Sequence, residues 1–98
     1  MAAYMIVYAD ITDRDRFIQD YAPAASKLVS QFGGKYLIRA PGAEVLEGNM
    51  KPGMSVVISE WPDKQTILDF WNSPEYQEAK KLRDGAADCE VSIVETPN

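Results

Sequence analysis

Four short apolar segments of the chain predict β-strands, at residues 3–11, 35–39, 54–61 and 89–95. Side chains of a strand point alternately to its two faces, and in the first segment both alternating sets are apolar. A strand that is apolar on both faces is typical of a sheet that is covered on both sides. After the second strand, residues 43–48 (AEVLEG) are also expected to be extended.

The first helical region follows the first strand. Apolar residues recur every three or four positions over residues 17–32, which predicts the buried stripe of a helix. We expect Thr12 to cap its start, with Asp15 three residues later in a short capping box. Pro23 should kink or divide the helix near the preceding residue, and Gly33 should end it.

The second helical region is interrupted. Asp63 is expected to cap a helix that continues to Trp71. Ser73 and Pro74 then stop this helix and start another at once, because a serine is a good cap and a proline is tolerated at the first helical position. Gly85 should end the second piece.

The resulting order β-α-β-β-α-β predicts an α+β fold with a four-stranded antiparallel sheet and both helical regions on one face. The opposite face would then expose a large apolar surface, which monomers rarely tolerate. The simplest way to cover it is a second copy packed sheet against sheet, so the pattern predicts a two-fold homodimer.

Composition narrows the choice of partners. The 98 residues are expected to form a single domain, residues 1–98. A net charge of −5 disfavours nucleic acid and anionic membrane surfaces as partners, and no segment has the apolar length of a membrane span.

The chain has one cysteine, Cys89, and no signal peptide is recognisable, so we expect a cytoplasmic protein. Because histidine is absent, we expect no metal site and no cofactor such as haem.

Four segments in this order carry a resemblance to a known family: FGGKYLIR (32–39), EVLEG (44–48), VVISEWP (56–62) and FWNSPEYQEAKKLRDGA (70–86). Over nearly its whole length the chain resembles the domain-of-unknown-function family 1330, within the dimeric α/β-barrel superfamily. The resemblance implies a ferredoxin-like fold and a dimer, and it implies no established activity. Trp61 stands where the family more often has phenylalanine, a departure that should affect packing alone.

Charged residues at the strand ends are the first candidates for a site. Arg39 lies in an apolar strand and needs an anionic partner, which could be a ligand carboxylate or a structural glutamate, Glu47 or Glu60. Glu60 could itself be a general base whose pKa burial has raised, or the structural partner of Arg39. Glu47 precedes a turn glycine, where exposure to solvent is the default, and it is retained as a possible ligand contact.

Aromatic residues near the helix restart are the second group of candidates. Tyr76 and Arg83 lie two turns apart on the restarted helix, so both could face a pocket or form a stacked surface pair. Trp71 is either part of the core or a pocket wall, and Tyr8 near the end of the first strand joins the expected lining. Cys89 is expected to be a buried, unreactive thiol.

Together these observations predict a homodimer that binds a small organic acid or aromatic metabolite. In a cofactor-free enzyme, Arg39 would orient the anion, Tyr76 would donate a hydrogen bond and Glu60 would move the proton. Monooxygenase or isomerase activity would follow from analogy with the superfamily alone. The alternative is a non-catalytic homodimeric interaction module in which the charged residues are structural.

Overall fold

Four antiparallel strands form a single sheet in the order β2-β3-β1-β4 in the computed structural model, which describes residues 2–97. The two central strands are therefore the first and third in sequence, as a β-α-β-β-α-β chain requires when its two halves interleave. This is the predicted α+β architecture. The strands are β1 (Ala3–Ile11), β2 (Lys35–Ala40), β3 (Ser55–Trp61) and β4 (Ala87–Glu95).

All helical segments pack on one face of this sheet. The first region contains α1 (Arg14–Arg16), a π turn (Phe17–Tyr21) and α2 (Ala22–Gln31). The second region contains α3 (Lys64–Trp71), α4 (Pro74–Lys80) and a 3-10 turn (Lys81–Arg83). Within residues 2–97, none of these helices is both long and apolar enough to cross a membrane.

The core lies between the helices and the face of the sheet that carries Ala3 and Met5. Trp61 and Phe70 are its largest buried side chains, with ring centroids 5.1 Å apart. The helix caps explain why these segments begin where they do. Asp63 accepts a hydrogen bond from the backbone of Thr66, as predicted, and fixes the start of α3.

The restart of the second helical region is confirmed. The Ser73 hydroxyl accepts a hydrogen bond from the Tyr76 backbone N–H at 3.1 Å, and Pro74 takes the first position of α4. Ser73 also donates its hydroxyl proton to the Phe70 carbonyl, so one side chain closes α3 and opens α4. The chain turns within two residues because both helix ends share this cap.

The start of the first helical region differs from the prediction. Asp13, not Thr12, caps α1 by accepting from the Arg16 backbone N–H. Thr12 is instead held by its own backbone N–H, which donates to the Ala86 carbonyl at 2.8 Å. A carboxylate one residue further on reaches the same free N–H groups, so either residue suits the pattern and tertiary contacts decide between them.

Pro23 divides the helix near Ala22, as predicted, and the division takes the form of a π turn. The Ala22 N–H donates to the Phe17 carbonyl, five residues back rather than four. Proline has no N–H to continue the regular ladder, and the chain accommodates one extra residue before α2 begins. This extra residue changes which side chains of the first helical region face the sheet.

An irregularity in β2 has a similar effect. Tyr36 pairs with Ser59 and Ile38 pairs with the adjacent Ile58, so Leu37 is the extra residue of a β-bulge. Tyr36 and Arg39 would face opposite sides in a regular strand, and the bulge puts both on the helix-covered side. The extended segment expected at residues 43–48 is not a strand, because residues 41–54 form an irregular loop.

No helix of residues 2–97 lies on the other face of the sheet. Ile6 and Ile58 pair at its centre, and both are half-buried. Towards the edges, Ile38 and Val94 expose 45% and 46% of their surface. The face is therefore apolar and uncovered within one chain, as the alternation along the strands predicts. We refer to it as the open face.

Candidate ligand-binding cavity

A cavity of about 320 Å³ lies between the sheet and the helices. Its floor consists of side chains that point towards the helices from neighbouring strands. Val57, Val7 and Val91 form one row across the sheet, and Arg39 continues this row on β2. The roof comes from α1, the π turn and α2 on one side, and from α3, α4 and the 3-10 turn on the other.

The inner end of the cavity holds a pair of tyrosine hydroxyls. Tyr21 and Tyr76 lie with their oxygens 2.8 Å apart, and Tyr76 is 3% exposed. Phe70 and Trp71 pack against the Tyr76 ring with centroids 4.4 and 5.2 Å away, which holds it in place. One hydroxyl of the pair donates to the other, so a single O–H remains available to a ligand.

Burial keeps Tyr21 protonated. Burial raises the pKa of Tyr21 well above its ordinary value, the neighbouring Tyr76 raises it further, and the charge of Arg83 opposes the shift in part. Tyr21 is therefore a hydrogen-bond donor or acceptor and not a general base at physiological pH. The position of Tyr21 depends on the π turn, whose Phe17 ring packs against it with centroids 5.0 Å apart.

Arg83 lies against this pair, with its guanidinium carbon 5.6 Å from the centroid of the Tyr21 ring. Its Nε is buried, and it has no hydrogen-bond partner among residues 2–97. Burial acts to lower the pKa of Arg83, but Cys89, Tyr76 and Tyr21 raise it, so the pKa lies above its ordinary value. A buried donor without a partner is costly to the folded state.

A second arginine and tyrosine stand at the mouth. The guanidinium carbon of Arg39 lies 4.6 Å from the centroid of the Tyr36 ring, and Arg39 is exposed. Burial raises the pKa of Tyr36, with Arg39 opposing the shift and Tyr76 adding to it. The contact between Arg39 and Tyr36 depends on the bulge at Leu37, because that bulge places them on the same face.

Cys89 contributes a thiol to the cavity from β4. It is half-buried, and burial raises its pKa, with Arg83 opposing the shift and Asp88 adding to it. The thiol is therefore neutral at physiological pH and behaves as a small apolar group. Its expected lack of reactivity stays a prediction, whereas its position in the cavity wall was not expected.

All charged side chains that line the cavity among the described residues are positive. Three arginines line the cavity, namely Arg14, Arg39 and Arg83, and no aspartate or glutamate does so within the described residues. The remaining walls are mostly aliphatic and aromatic. Such a site favours a ligand with an apolar body and at least one anionic group.

The structure brings four of the sequence-derived candidates to this cavity: Arg39, Trp71, Tyr76 and Arg83. The helix restart that the sequence predicts explains the positions of two of them. Trp71 ends α3, and the cap at Ser73 then turns α4 so that Tyr76 faces back towards the sheet. Tyr76 and Arg83 do not form a surface pair, since Tyr76 is buried.

The other three candidates lie elsewhere. Glu60 and Tyr8 are on the open face, since they alternate with the helix-facing Ser59 and Ala9. Glu47 is exposed in the loop that follows β2. None of the three lines the cavity, and neither glutamate forms a salt bridge with Arg39 among residues 2–97.

Glu60 therefore does not share a site with Tyr76, as a proton-transfer role beside it would require. Its carboxylate accepts a hydrogen bond from the Tyr4 hydroxyl at 3.2 Å on the open face. Strand alternation explains the separation, because Ser59 and Trp61 point into the core on either side of it. The sequence contains this alternation but does not say which face holds the cavity.

Tyr21, Tyr36, Cys89 and Arg14 line the cavity without having been predicted from the sequence. Tyr21 belongs to the apolar stripe at residues 17–32. This pattern predicts that Tyr21 is buried, but it does not indicate a role in binding. The only available hint was its hydroxyl, since a buried tyrosine usually requires a polar partner.

The lining defines the chemistry that the cavity can perform. It offers O–H and N–H donors to an anion, and among the described residues it contains no carboxylate or histidine to remove a proton. Across residues 2–97, no three cysteine, aspartate or glutamate side chains are grouped as metal ligands would be. The side chains of the lining can therefore donate hydrogen bonds to an anion.

The fold and the position of the cavity define a ferredoxin-like α+β protein. The chain belongs to the family described as domain of unknown function (DUF1330), whose model matches residues 2–97. This confirms the resemblance noted in the sequence. Comparison with curated proteins gave no significant match.

Solved structures with the same fold share little sequence with this chain. A protein of unknown function from Rhodopseudomonas palustris, RPA0582, has a TM-score of 0.79 at 18% identity, with 99% of this chain and 83% of that chain covered. SnoaB, a cofactor-independent oxygenase from Streptomyces nogalater, has a TM-score of 0.70 at 12% identity, with 99% and 94% covered. A dimeric ferredoxin-like protein of unknown function from Jannaschia sp. CCS1 also scores 0.70 at 12% identity, with 98% and 100% covered.

Proposed function

We propose that this chain is a cytoplasmic homodimer that binds a small organic acid with an apolar or aromatic body in the cavity between its sheet and helices. The observation that carries the proposal is the position of Arg83, which lies against the Tyr21–Tyr76 hydroxyl pair in a cavity that no carboxylate of residues 2–97 lines. In the bound state, the guanidinium of Arg83 and the free tyrosine hydroxyl would both donate to one carboxylate. No cofactor takes part.

The apolar walls supply the rest of the affinity. Val7, Val57 and Val91 form a flat floor, and the aromatic rings of the roof face it. A cavity of about 320 Å³ is at the small end of the range for ligand sites. A monocyclic aromatic acid or a medium-chain fatty acid suits these dimensions better than a large polycyclic ligand.

The alternative of a purely structural role for the arginines has less support. Within residues 2–97, neither Arg39 nor Arg83 forms a salt bridge, so neither joins elements by a carboxylate contact. An arginine that stabilised the fold through charge would be expected to face an aspartate or glutamate. Both arginines face the cavity instead.

The homodimer is supported by the open face. Ile6 and Ile58 at its centre, with Ile38 and Val94 towards its edges, form an apolar surface on both inner and outer strands. A second copy related by a two-fold axis would cover it with an identical apolar surface. Similar structures include dimeric ferredoxin-like proteins of unknown function.

A thermal-shift titration tests the proposed binding. A panel of aliphatic and aromatic monocarboxylates should include members that raise the melting temperature, because a ligand that binds the folded state stabilises it. At about a hundredfold over its dissociation constant, such a ligand adds roughly 2.7 kcal/mol. The substitution Arg83→Met should abolish the shift.

The matched control is Lys81→Met. Lys81 is two residues away in the same 3-10 turn, but its ammonium pairs with Glu78 at the surface. This variant loses the same charge and should keep the full ligand-induced shift. The proposal fails if no carboxylate stabilises the wild-type protein, or if Arg83→Met responds as the wild type does.

Cofactor-independent oxygenation is a second candidate function. It is favoured by the presence of such an oxygenase, SnoaB, among the similar structures, together with the donors at the inner end of the cavity. A phenol or enol bound there would have its oxyanion stabilised by Arg83 and a tyrosine hydroxyl. An oxygen electrode tests this function, since substrates that bind should cause oxygen uptake with the wild type and much less with Arg83→Met.

A further inference from the structure

Two arginine–tyrosine pairs lie at opposite sides of the cavity. Arg39 stands over the Tyr36 ring on β2, which is one edge strand of the sheet. Arg83 stands over the Tyr21 ring, and it lines the cavity together with Cys89 on β4, the other edge strand. In both pairs a guanidinium is fixed over an aromatic face, so its N–H groups are held in a defined orientation.

The width of the cavity follows from the sheet. Arg39 is level with Val57, Val7 and then Val91, one residue on each successive strand. Three strand spacings of about 4.8 Å put the Cα atoms of Arg39 and Val91 on the order of 14 Å apart. Both side chains line the same cavity, so the cavity extends across the width of the sheet.

The middle of the cavity differs from its two sides. Its floor is formed by valines, and the Tyr76 ring stands between the pairs, with its hydroxyl at Tyr21. No carboxylate of residues 2–97 lines the cavity, so neither guanidinium is neutralised there by the protein. The arrangement is cationic at both ends and apolar between them.

We propose that the ligand carries two acidic groups, one at each end of an apolar body, and that the cavity selects dicarboxylic acids over monocarboxylic acids of equal length. The inner acid is bound by Arg83 and the free hydroxyl of the Tyr21–Tyr76 pair. The outer acid is bound by Arg39 at the mouth, where it stays in contact with solvent. This inference rests on the proposed function and adds the second acidic group to it.

Because Arg39 is exposed, we expect it to affect the preference for dicarboxylates over monocarboxylates more than the overall affinity. A solvated arginine adds modestly to affinity when it forms one contact, and more when it forms a paired N–H contact to a carboxylate in fixed geometry. The preference should depend on length, since a short dicarboxylate cannot reach both arginines and a long one must fold. An optimum in chain length is therefore the signature of binding at two ends.

Isothermal titration calorimetry with two series of probes tests this inference. One series consists of linear α,ω-dicarboxylates from succinate to sebacate, and the other consists of monocarboxylates with the same carbon numbers. The wild type should bind one dicarboxylate at least about tenfold more tightly than its matched monocarboxylate. Arg39→Met should bring this ratio close to one, because it should weaken dicarboxylate binding much more than monocarboxylate binding.

Two further variants complete the experiment. Arg83→Met should weaken both series, because it removes the inner anion site. Arg14→Met removes a third lining arginine, which stacks on no aromatic ring of residues 2–97, and it should keep most of the dicarboxylate preference. Loss of the preference in Arg14→Met but not in Arg39→Met would overturn the assignment of the outer site.

The possible failures are distinguishable. If monocarboxylates bind and dicarboxylates of every length bind no more tightly, the two-acid inference is wrong and the proposed function stands. If neither series binds, the two-acid inference is wrong, and the aromatic acids of the thermal-shift panel decide the proposed function separately. Because Arg39 is exposed and contacts no carboxylate of the described chain, Arg39→Met should fold normally, which circular dichroism can verify.

Discussion

The hydroxyls of Tyr21 and Tyr76 are within 2.8 Å of each other, although the residues come from different helical regions of the chain. This contact joins the π turn to α4 across the inner end of the cavity. Each hydroxyl is the partner that allows the other to be buried. The pair therefore contributes to folding and to the candidate site at once.

A double-mutant cycle should separate these contributions. Tyr76→Phe alone leaves the partly buried Tyr21 hydroxyl without this partner, which should cost about 1–3 kcal/mol of unfolding free energy. Tyr21→Phe should cost a similar amount. The double variant should lose clearly less than the sum, because replacing both partners by apolar groups leaves no unpaired hydroxyl. Urea unfolding of the four proteins measures this coupling, and strict additivity would contradict the contact.

Alkaline pH should destabilise the protein through Tyr21. Its pKa is raised in the folded state, so above its ordinary value of 10.0 the unfolded chain loses a proton that the folded chain keeps. The folded state then binds more protons than the unfolded state, and the free energy of unfolding must fall as pH rises. Tyr21 alone should contribute a slope of about 1.4 kcal/mol per pH unit in that range.

Tyr21→Phe is the test of this pH dependence. Urea unfolding at several pH values between neutral pH and about pH 11.5 should show a shallower alkaline decline for the variant than for the wild type. Tyr36 and Cys89 also have raised pKa values, so a residual decline is expected in the variant. Identical slopes for the two proteins would show that Tyr21 ionises normally when folded.

The main features of the fold are evident from local patterns. The alternation of side chains between two faces identifies the strands, and in β1 it also identifies the two faces. Asp63 and Ser73 cap the helices that follow them. These signals are reliable because each depends on a few adjacent residues and on backbone geometry. The sequence alone likewise predicts that the strands carry apolar side chains on both faces of the sheet.

The composition of the cavity was less predictable because two one-residue insertions determine it. The π turn at Phe17–Tyr21 and the bulge at Leu37 each shift the side chains that follow. Without the bulge, Tyr36 and Arg39 would lie on opposite faces of the sheet. Such insertions depend on tertiary packing, which explains why Tyr36 was not among the predicted site residues.

The close approach of Gly34 to Trp61 gives a prediction for the core. A Cβ at Gly34 would lie 2.6 Å from the Trp61 ring and 2.8 Å from the Val29 side chain. Both neighbours are buried and cannot move aside without disturbing the core. Gly34→Ala should therefore destabilise the protein by roughly 3 kcal/mol or more, in keeping with overpacking of a buried site.

Gly48→Ala is the matched control for this substitution. Gly48 has a φ of +103° and nothing within 4 Å of an added Cβ, so the change should cost about 1 kcal/mol through backbone strain alone. Comparison of the two denaturation midpoints separates crowding from strain. A cost for Gly34→Ala no greater than that for Gly48→Ala would mean that the core is more loosely packed around Trp61.

Dimerisation through the open face should depend on Ile58. This residue pairs with Ile6 on the two central strands, and a lysine there would place a charge in the middle of an apolar contact between two sheets. Sedimentation equilibrium at micromolar concentration should give twice the 10.9 kDa chain mass for the wild type and the single mass for Ile58→Lys. Gln65→Lys adds the same charge to the exposed surface of α3 and should remain dimeric. A monomeric wild type, or a folded Ile58→Lys that remains dimeric, would exclude the open face as the dimer interface.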